Sequence, residues 1–475
     1  MSSTKNENKS RTRSRSLNGI QSRKNIKYSN RTRSRVSSVI RSFMTKTAVK
    51  REAHFLNTVC SDSGVCLAFG KEKKKLERFF DFTSFAYAKP VVTRIGKPSV
   101  NGFVREVEYE REGYQAHAIL KSSIEMNTDS LTYEYLVGTV LNRMNRWLPS
   151  FVETYGLFYY IKDEDRRQVI KGPAILSLSQ STDAKKRAKN VAKVTPLNPA
   201  SVSTVCRTSH KQCLLIQHMK DALTIGDRLP DKMFFMYDLL YVLYPVYFSL
   251  KCLRQSFTHY DLHQDNVLLY EPIKDGYIEY HIHTSEGEVV FCSKYIAKII
   301  DYGSSFIQGS MGYYDKLCAE KLYCHNCGSD KGFNHLSKDR TQDSEYFFIN
   351  SLYKNESHDL RLLSECVIES PISSSQIPHV QAFINVLKST TYGIGIQDPD
   401  EKEQRFGTVE DLSTTDTINN VSSAEKQLRT LIQYKTWQFV NQHQYKSLRK
   451  IGELHIYEDK TPMRYMEEPV RSFHF

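Results

Sequence analysis

His259-Tyr-Asp-Leu-His-Gln-Asp-Asn-Val-Leu-Leu269 constrains this chain more tightly than any other stretch. It follows a long apolar run, Met233 to Leu253, and closes on the apolar residues Val267 to Leu269. A polar turn between a hydrophobic helix and an apolar strand folds back so that its side chains point into one cleft. There Asp261 offers a carboxylate that can accept a hydroxyl proton. Asn266, five residues on, offers an amide oxygen to a divalent ion. The strand Tyr295-Ile-Ala-Lys-Ile-Ile300 then ends in a second carboxylate, Asp301, followed by Tyr302 and Gly303. This pattern predicts a sharp turn at Gly303 and a place for a hard, oxygen-preferring cation at Asp301.

The string H-x-D-L-x-x-x-N-V-L-L followed by I-I-D-Y-G resembles the catalytic loop and metal-binding D-F-G of the protein kinase superfamily. The likeness spans roughly residues 90–370. It is most similar to the divergent kinases of large nucleocytoplasmic DNA viruses, with a secondary likeness to haspin-type kinases, which also carry D-L-H and I-I-D-Y. Ser357-His-Asp-Leu-Arg-Leu-Leu363 strengthens the viral likeness, and Asp359 falls where kinases keep a buried Asp that braces the catalytic loop. The resemblance implies an α+β fold of two lobes, a small sheet-plus-helix lobe and a larger helical one, with ATP between them. It also implies Mg²⁺-dependent transfer of the γ-phosphoryl group to a protein Ser/Thr hydroxyl. Asp261 would be the catalytic base, with Asn266 and Asp301 on the metal.

The same resemblance assigns residues upstream. Ala116-His-Ala-Ile-Leu-Lys121 reads as a strand whose period of two puts Ile119 and Lys121 on one face. Ile119 would meet adenine and Lys121 the α- and β-phosphates. Leu131, Glu134, Gly138 and Leu141 form a helical stripe at steps of three and four. A carboxylate on such a face needs a partner, and Lys121 is the obvious one for Glu134. Ile95-Gly-Lys-Pro-Ser-Val-Asn-Gly-Phe-Val104 would be the phosphate-covering loop, with Gly96 and Gly102 allowing close backbone approach and Val104 closing it. It lacks the middle glycine of G-x-G-x-x-G-x-V and is longer by one. Leu214-Leu-Ile-Gln-His-Met219 resembles the segment joining the lobes, where Gln217 and Met219 would present backbone groups to adenine.

The chain also departs from the family pattern. Tyr260 replaces the Arg that in many protein kinases reads a phosphate on the activation segment. His263 stands where Ser/Thr kinases carry a Lys. Because D-L-H also occurs in choline and aminoglycoside phosphotransferases, a small-molecule phosphotransferase is one alternative, and a catalytically inactive kinase-fold scaffold is another. The gap from Asp261 to Asp301 is 40 residues, and its middle reads as an inserted hairpin around Glu286-Gly287. No A-P-E follows Asp301.

Of the net charge of +13, the first 50 residues hold 14 Lys and Arg against one acid, Glu7, or 14 − 1 = +13. The other 425 residues are therefore neutral in sum. Residues 1–50 read as a disordered basic, Arg/Ser-rich tail suited to nucleic-acid contact or to solubility. The domain reading is 79–219 for the small lobe and hinge, with a polar insert at about 177–211, and 220–455 for the larger lobe. Helices are expected over 129–146, 231–255, 358–368, 376–390 and 424–450, and a polar loop over 396–420. Met233 to Leu253 is interrupted by Asp238, Pro245 and Lys251, which favours a buried core helix over a membrane span. Ten scattered cysteines argue for a reducing, intracellular compartment. The viral likeness implies a virion or an infected host cell. Cys318, Cys324 and Cys327, with His325 and His335, give one C-x-x-C and no second pair, so loop residues are favoured over zinc ligands.

Overall fold

Alternation of apolar and polar residues builds the first half of the chain. The computed structural model describes residues 78–82, 85, 87–94, 102–112, 114–123, 130–161, 174–176, 191–192, 194–196, 212–219, 221–272, 274–308, 335–336, 346–347, 354–390 and 418–467. Strands β1 (Ala88–Arg94), β2 (Gly102–Arg111) and β3 (Tyr114–Ser123) pair antiparallel in sequence order. In β2, Phe103, Val107 and Tyr109 turn into the core. Helix α1 (Ser130–Met144) lies against β4 (Thr154–Tyr160). Gly138 permits that approach, because a Cβ there would come within 2.0 Å of the Thr154 hydroxyl oxygen.

Strands β5 (Ala174–Leu176), β6 (Val191–Ala192), β7 (Val194–Pro196) and β8 (Gln212–Gln217) complete a sheet of order β6-β5-β1-β2-β3-β8-β4-β7. The polar insert expected as a loop therefore contributes two short strands. Pro196 sits in β7 at the sheet edge, the position to which strand prolines are confined.

The second half is richer in helix. After β9 (Leu223–Thr224) comes a π-helical turn, Phe234–Asp238, and then α2 (Leu239–Leu253). Helix α2 is buried nearly all round, as an apolar helix inside a core must be. Pro245 lies inside it, and the Pro245 carbonyl accepts the hydroxyls of Ser249 (2.8 Å) and Ser150 (3.2 Å). Strands β10 (Phe257–Thr258), β11 (Val267–Tyr270), β12 (Gly276–Thr284), β13 (Gly287–Ser293), β14 (Ile296–Ile299) and β15 (Phe306–Ile307) follow. The inserted hairpin is present: Thr284 pairs with Gly287, whose φ of 124° is open to glycine alone.

Helices α3 (Arg361–Ile368) and α4 (Pro378–Lys388) fall where helices were expected. The single helix expected over 424–450 does not form. Asn420 caps α5 (Val421–Gln433), extended Tyr434 (φ −66°, ψ 133°) breaks the run, and α6 (Lys435–Tyr445) starts anew. The chain then turns to strand, β16 (Arg449–Tyr457) and β17 (Arg464–Glu467), so the fold continues past the expected boundary at 455. These build a sheet β13-β12-β16-β17 in which β12 and β16 run parallel. The content is mixed α and β. Among the described residues, no helix is long and apolar enough to cross a membrane. Residues 1–50, Cys318, Cys324 and Cys327 lie outside the described residues.

Candidate active site

Antiparallel register sets one wall of the site. Val104 pairs with Lys121, and Lys121 in turn with Leu214; Ile119 pairs with Ile216. Directly opposed residues share a face, so Val104, Ile119 and Lys121 face the same way. Gly102 opens strand β2 and pairs with Ser123, so it belongs to the ladder and not to a loop. Gly96 lies outside the described residues. The Gln217 backbone N–H donates to the Glu153 carbonyl at 2.7 Å, and its side-chain oxygen accepts the Glu153 N–H at 3.3 Å. That N–H is therefore engaged inside the sheet. Met219 is buried, and its carbonyl accepts the Ala222 N–H at 3.2 Å.

The Lys121 ammonium joins three elements. It donates to Glu134 Oε2 on α1 and to Asp301 Oδ1 after β14, each at 2.8 Å. Glu134 is 2% exposed, and burial pushes its carboxyl up against the attraction of Lys121. Burial works against the Lys121 charge too, but Asp301 and Glu134 outweigh it and hold the amine protonated. For Asp301, desolvation is outweighed by Lys121, which keeps the carboxyl below its usual range. The adjoining Tyr133 hydroxyl donates to the Ser305 carbonyl, a second tie from α1 to the segment after Asp301.

Strands β11 and β14 pair residue for residue from Val267↔Ile299 to Tyr270↔Ile296, which brings Asn266 beside Ile300. The Ile300 N–H donates to the Asn266 carbonyl at 3.0 Å. Asn266 spends its side-chain NH₂ on the Asp261 carbonyl (2.8 Å), so its amide oxygen is the atom left to a cation. The sharp turn expected at Gly303 is made two residues earlier: Asp301 itself is left-handed (φ 65°), and Tyr302–Ser304 is a 3₁₀ turn. Tyr260 is also left-handed, at φ 64°. Such conformations cost a non-glycine residue on the order of 1–3 kcal/mol and persist where the surroundings over-determine them.

Those surroundings are visible. Buried Asp359 accepts the N–H groups of His259 (2.8 Å) and Tyr260 (2.9 Å) through separate carboxylate oxygens. The Tyr260 ring fills a buried slot against Phe306 and His358. His259 Nε2 lies 2.9 Å from the Ile300 carbonyl, which can only accept, so that nitrogen carries the proton. Its Nδ1 accepts the Asp261 N–H at 3.3 Å. Burial pushes His259 down to about 4, so the ring is neutral.

Sequence reasoning missed Arg361. Its Nη1 donates to Asp261 Oδ1 at 2.9 Å, while its Nε donates to Glu365, which also accepts the Gln264 N–H. Burial pushes Asp261 up to about 7, with Arg361 pulling the other way. The available signal was position, since Arg361 follows Asp359 by two residues in the S-H-D-L-R string. His263 caps the 3₁₀ turn at Gln264–Asn266, and its Nε2 lies 3.9 Å from Asp261 Oδ1. Lys121, Glu134 and Asp301 thus meet at one ammonium, and Asp261 and Asn266 meet within one loop.

Among solved structures, 396 chains match. One is a Plasmodium kinase domain, 13% identical, aligned over 48% of this chain and 57% of its own length, with a TM-score of 0.26. A superposition that loose carries no argument about activity. No protein-family model and no curated protein matches.

Proposed function

We propose that the chain is a two-lobed protein kinase that uses ATP and Mg²⁺ to phosphorylate Ser or Thr hydroxyls of a protein substrate. The observation that carries this reading is the Lys121 ammonium held between Glu134 and Asp301 at 2.8 Å each. A strand lysine locked by a helix carboxylate and paired with the carboxylate of a D-Y-G turn is what a phosphate clamp requires. The donor set suits a hard cation: the Asp301 carboxylate and the Asn266 amide oxygen are both oxygen ligands. When bound, Mg²⁺ supplies neutralisation of the charge on the transferred phosphoryl group.

This chain's own residues do the rest. Lys121 binds the phosphates, and Glu134 fixes its position. Asp261 orients the acceptor hydroxyl and takes its proton, and a carboxyl near 7 is matched to that task at neutral pH. Ile119 and Val104 line the nucleotide face. With a buried Tyr260 in place of a phosphate-reading Arg, activity is independent of phosphorylation on the activation segment. The basic residues 1–50 supply nucleic-acid contact and a substrate for self-phosphorylation. In keeping with the viral likeness of its motifs, the proposed location is a virion or an infected cell.

His263 beside Asp261 favours a second reading, transfer to a small hydroxyl compound. The test is a Mg²⁺ and labelled-ATP assay on a panel of protein and small-molecule acceptors. Protein labelling is expected, with Asp261→Asn and Lys121→Ala each lowering the rate by at least about 100-fold in folded protein. Wild-type rates in either variant refute the assignment. Labelling confined to small acceptors selects the second reading, and nucleotide binding without turnover selects an inactive scaffold.

A further inference from the structure

Alternation along two distant strands builds a second concentration of reactive side chains. In β12, Ile278, Tyr280 and Ile282 enter the core while Glu279, His281 and His283 face outward. In β16, Leu454 and Ile456 are buried while Glu453, His455 and Tyr457 face outward. Parallel pairing sets His281 beside His455 and His283 beside Tyr457, and antiparallel pairing sets His283 opposite Glu288 of β13. Three imidazoles and three carboxylates therefore share one outer sheet face, with no residue in common with the Asp261 region.

Within that face, one triad has the dimensions of a metal site. His283 Nε2 lies 3.1 Å from His455 Nδ1 and 3.7 Å from Glu288 Oε1, and all three ligand atoms fall within 4.8 Å of one another. Tetrahedral Zn²⁺ with bonds of about 2.0–2.1 Å spaces its ligand atoms by about 3.3 Å. Two imidazole nitrogens at 3.1 Å share one proton in a hydrogen bond, and a cation bound by both would take the place of that proton.

Each ligand also has a neighbour that fixes its position. The Tyr457 ring stacks on His283 at 4.5 Å and 8°. His455 turns its other nitrogen toward Glu453, 3.5 Å away. Glu288 Oε1 meets His281 Nδ1 at 2.8 Å, and His281 Nε2 meets Glu279 at 3.0 Å. A carboxylate on the far nitrogen of a ligating imidazole, as Glu453 is to His455, is the usual means of fixing its orientation.

We propose that His283, His455 and Glu288 bind a divalent transition metal, with Zn²⁺ the best fit and a fourth position left to water. The ion would clip the β12–β13 hairpin to β16, some 170 residues later in the chain. The test uses the full chain without a polyhistidine tag, stripped by chelator and titrated with Zn²⁺ by calorimetry and thermal melting. Wild type is expected to take up one equivalent more than His455→Gln or Glu288→Gln, and to gain thermal stability on Zn²⁺ addition that both variants lose. Glu288 is exposed, so Glu288→Gln should fold normally. His281→Gln and Glu453→Gln are expected to keep the equivalent with affinity weakened about tenfold. Equal uptake by wild type and His455→Gln overturns the proposal. So does retention in Glu288→Gln with loss in His281→Gln or Glu453→Gln, which would move the ion to the rival triad of His281, Glu453 and His455.

Discussion

His259 and His283 are the same side chain in two settings. Both nitrogens of His259 are engaged by backbone, one at Ile300 and the other at Asp261, inside a fully buried loop. The ring is neutral, locked in one tautomer, and acts as a strut between the two motifs. His283 stands on a half-exposed sheet face, where its neighbours are side chains that can turn aside. Burial with backbone partners makes an imidazole structural, whereas partial exposure among carboxylates keeps it available for exchange.

The largest expected effect tests the buried side. Asp359→Ala leaves the N–H groups of His259 and Tyr260 without acceptors, at about 1–3 kcal/mol each. A loss of about 4 kcal/mol in chemical denaturation is expected, against at most about 0.5 kcal/mol for Glu453→Ala on the outer face. Similar losses in both would break the contrast.

A second prediction uses pH. His259 titrates near 4 in the fold and near 6.5 unfolded, so the unfolded chain binds more protons between those values. Its contribution is present above pH 6.5 and lost as pH falls through 4. The stability difference between wild type and His259→Gln should therefore grow by about 3 kcal/mol from pH 4 to 7. A flat difference would mean that the ring is not buried neutral.

The smallest expected effect concerns Asp261. Its pKa of about 7 predicts a rate that falls on the acid side of neutrality. Arg361 favours the ionised form, so Arg361→Gln should move that limb to higher pH by about one unit, read from kcat/KM against pH. An unmoved limb would assign it to another group.

Much of the site was legible because its spacing is local. H-x-D-x-x-x-x-N, I-I-D-Y-G and the stripe carrying Glu134 each lie within one element or turn, and a lone buried carboxylate named Lys121 as its partner. The Glu286-Gly287 turn was legible for the same reason. The break at Tyr434 was not, because no glycine or proline marks it and the helical pattern resumes beyond. The helix expected to 450 overlaps only the first two residues of strand β16, in which Leu454 and Ile456 alternate with Glu453, His455 and Tyr457. Its parallel partner lies about 170 residues upstream, and no local pattern declares such a pairing. Arg361 escaped notice because its contact with Asp261 depends on how α3 docks under the loop. The engaged Gln217 amide depends likewise on the approach of Glu153.

The parallel pairing of β12 with β16 also sets an order of events during synthesis. The hairpin leaves the ribosome long before its partner strand, a wait on the order of ten seconds or more at typical elongation rates. Throughout that interval one flank of β12 presents open N–H and carbonyl groups above a row of Ile and Tyr side chains, the kind of template that recruits other nascent chains. Yield from expression should therefore depend on translation speed and chaperone supply more than the finished molecule's stability would suggest.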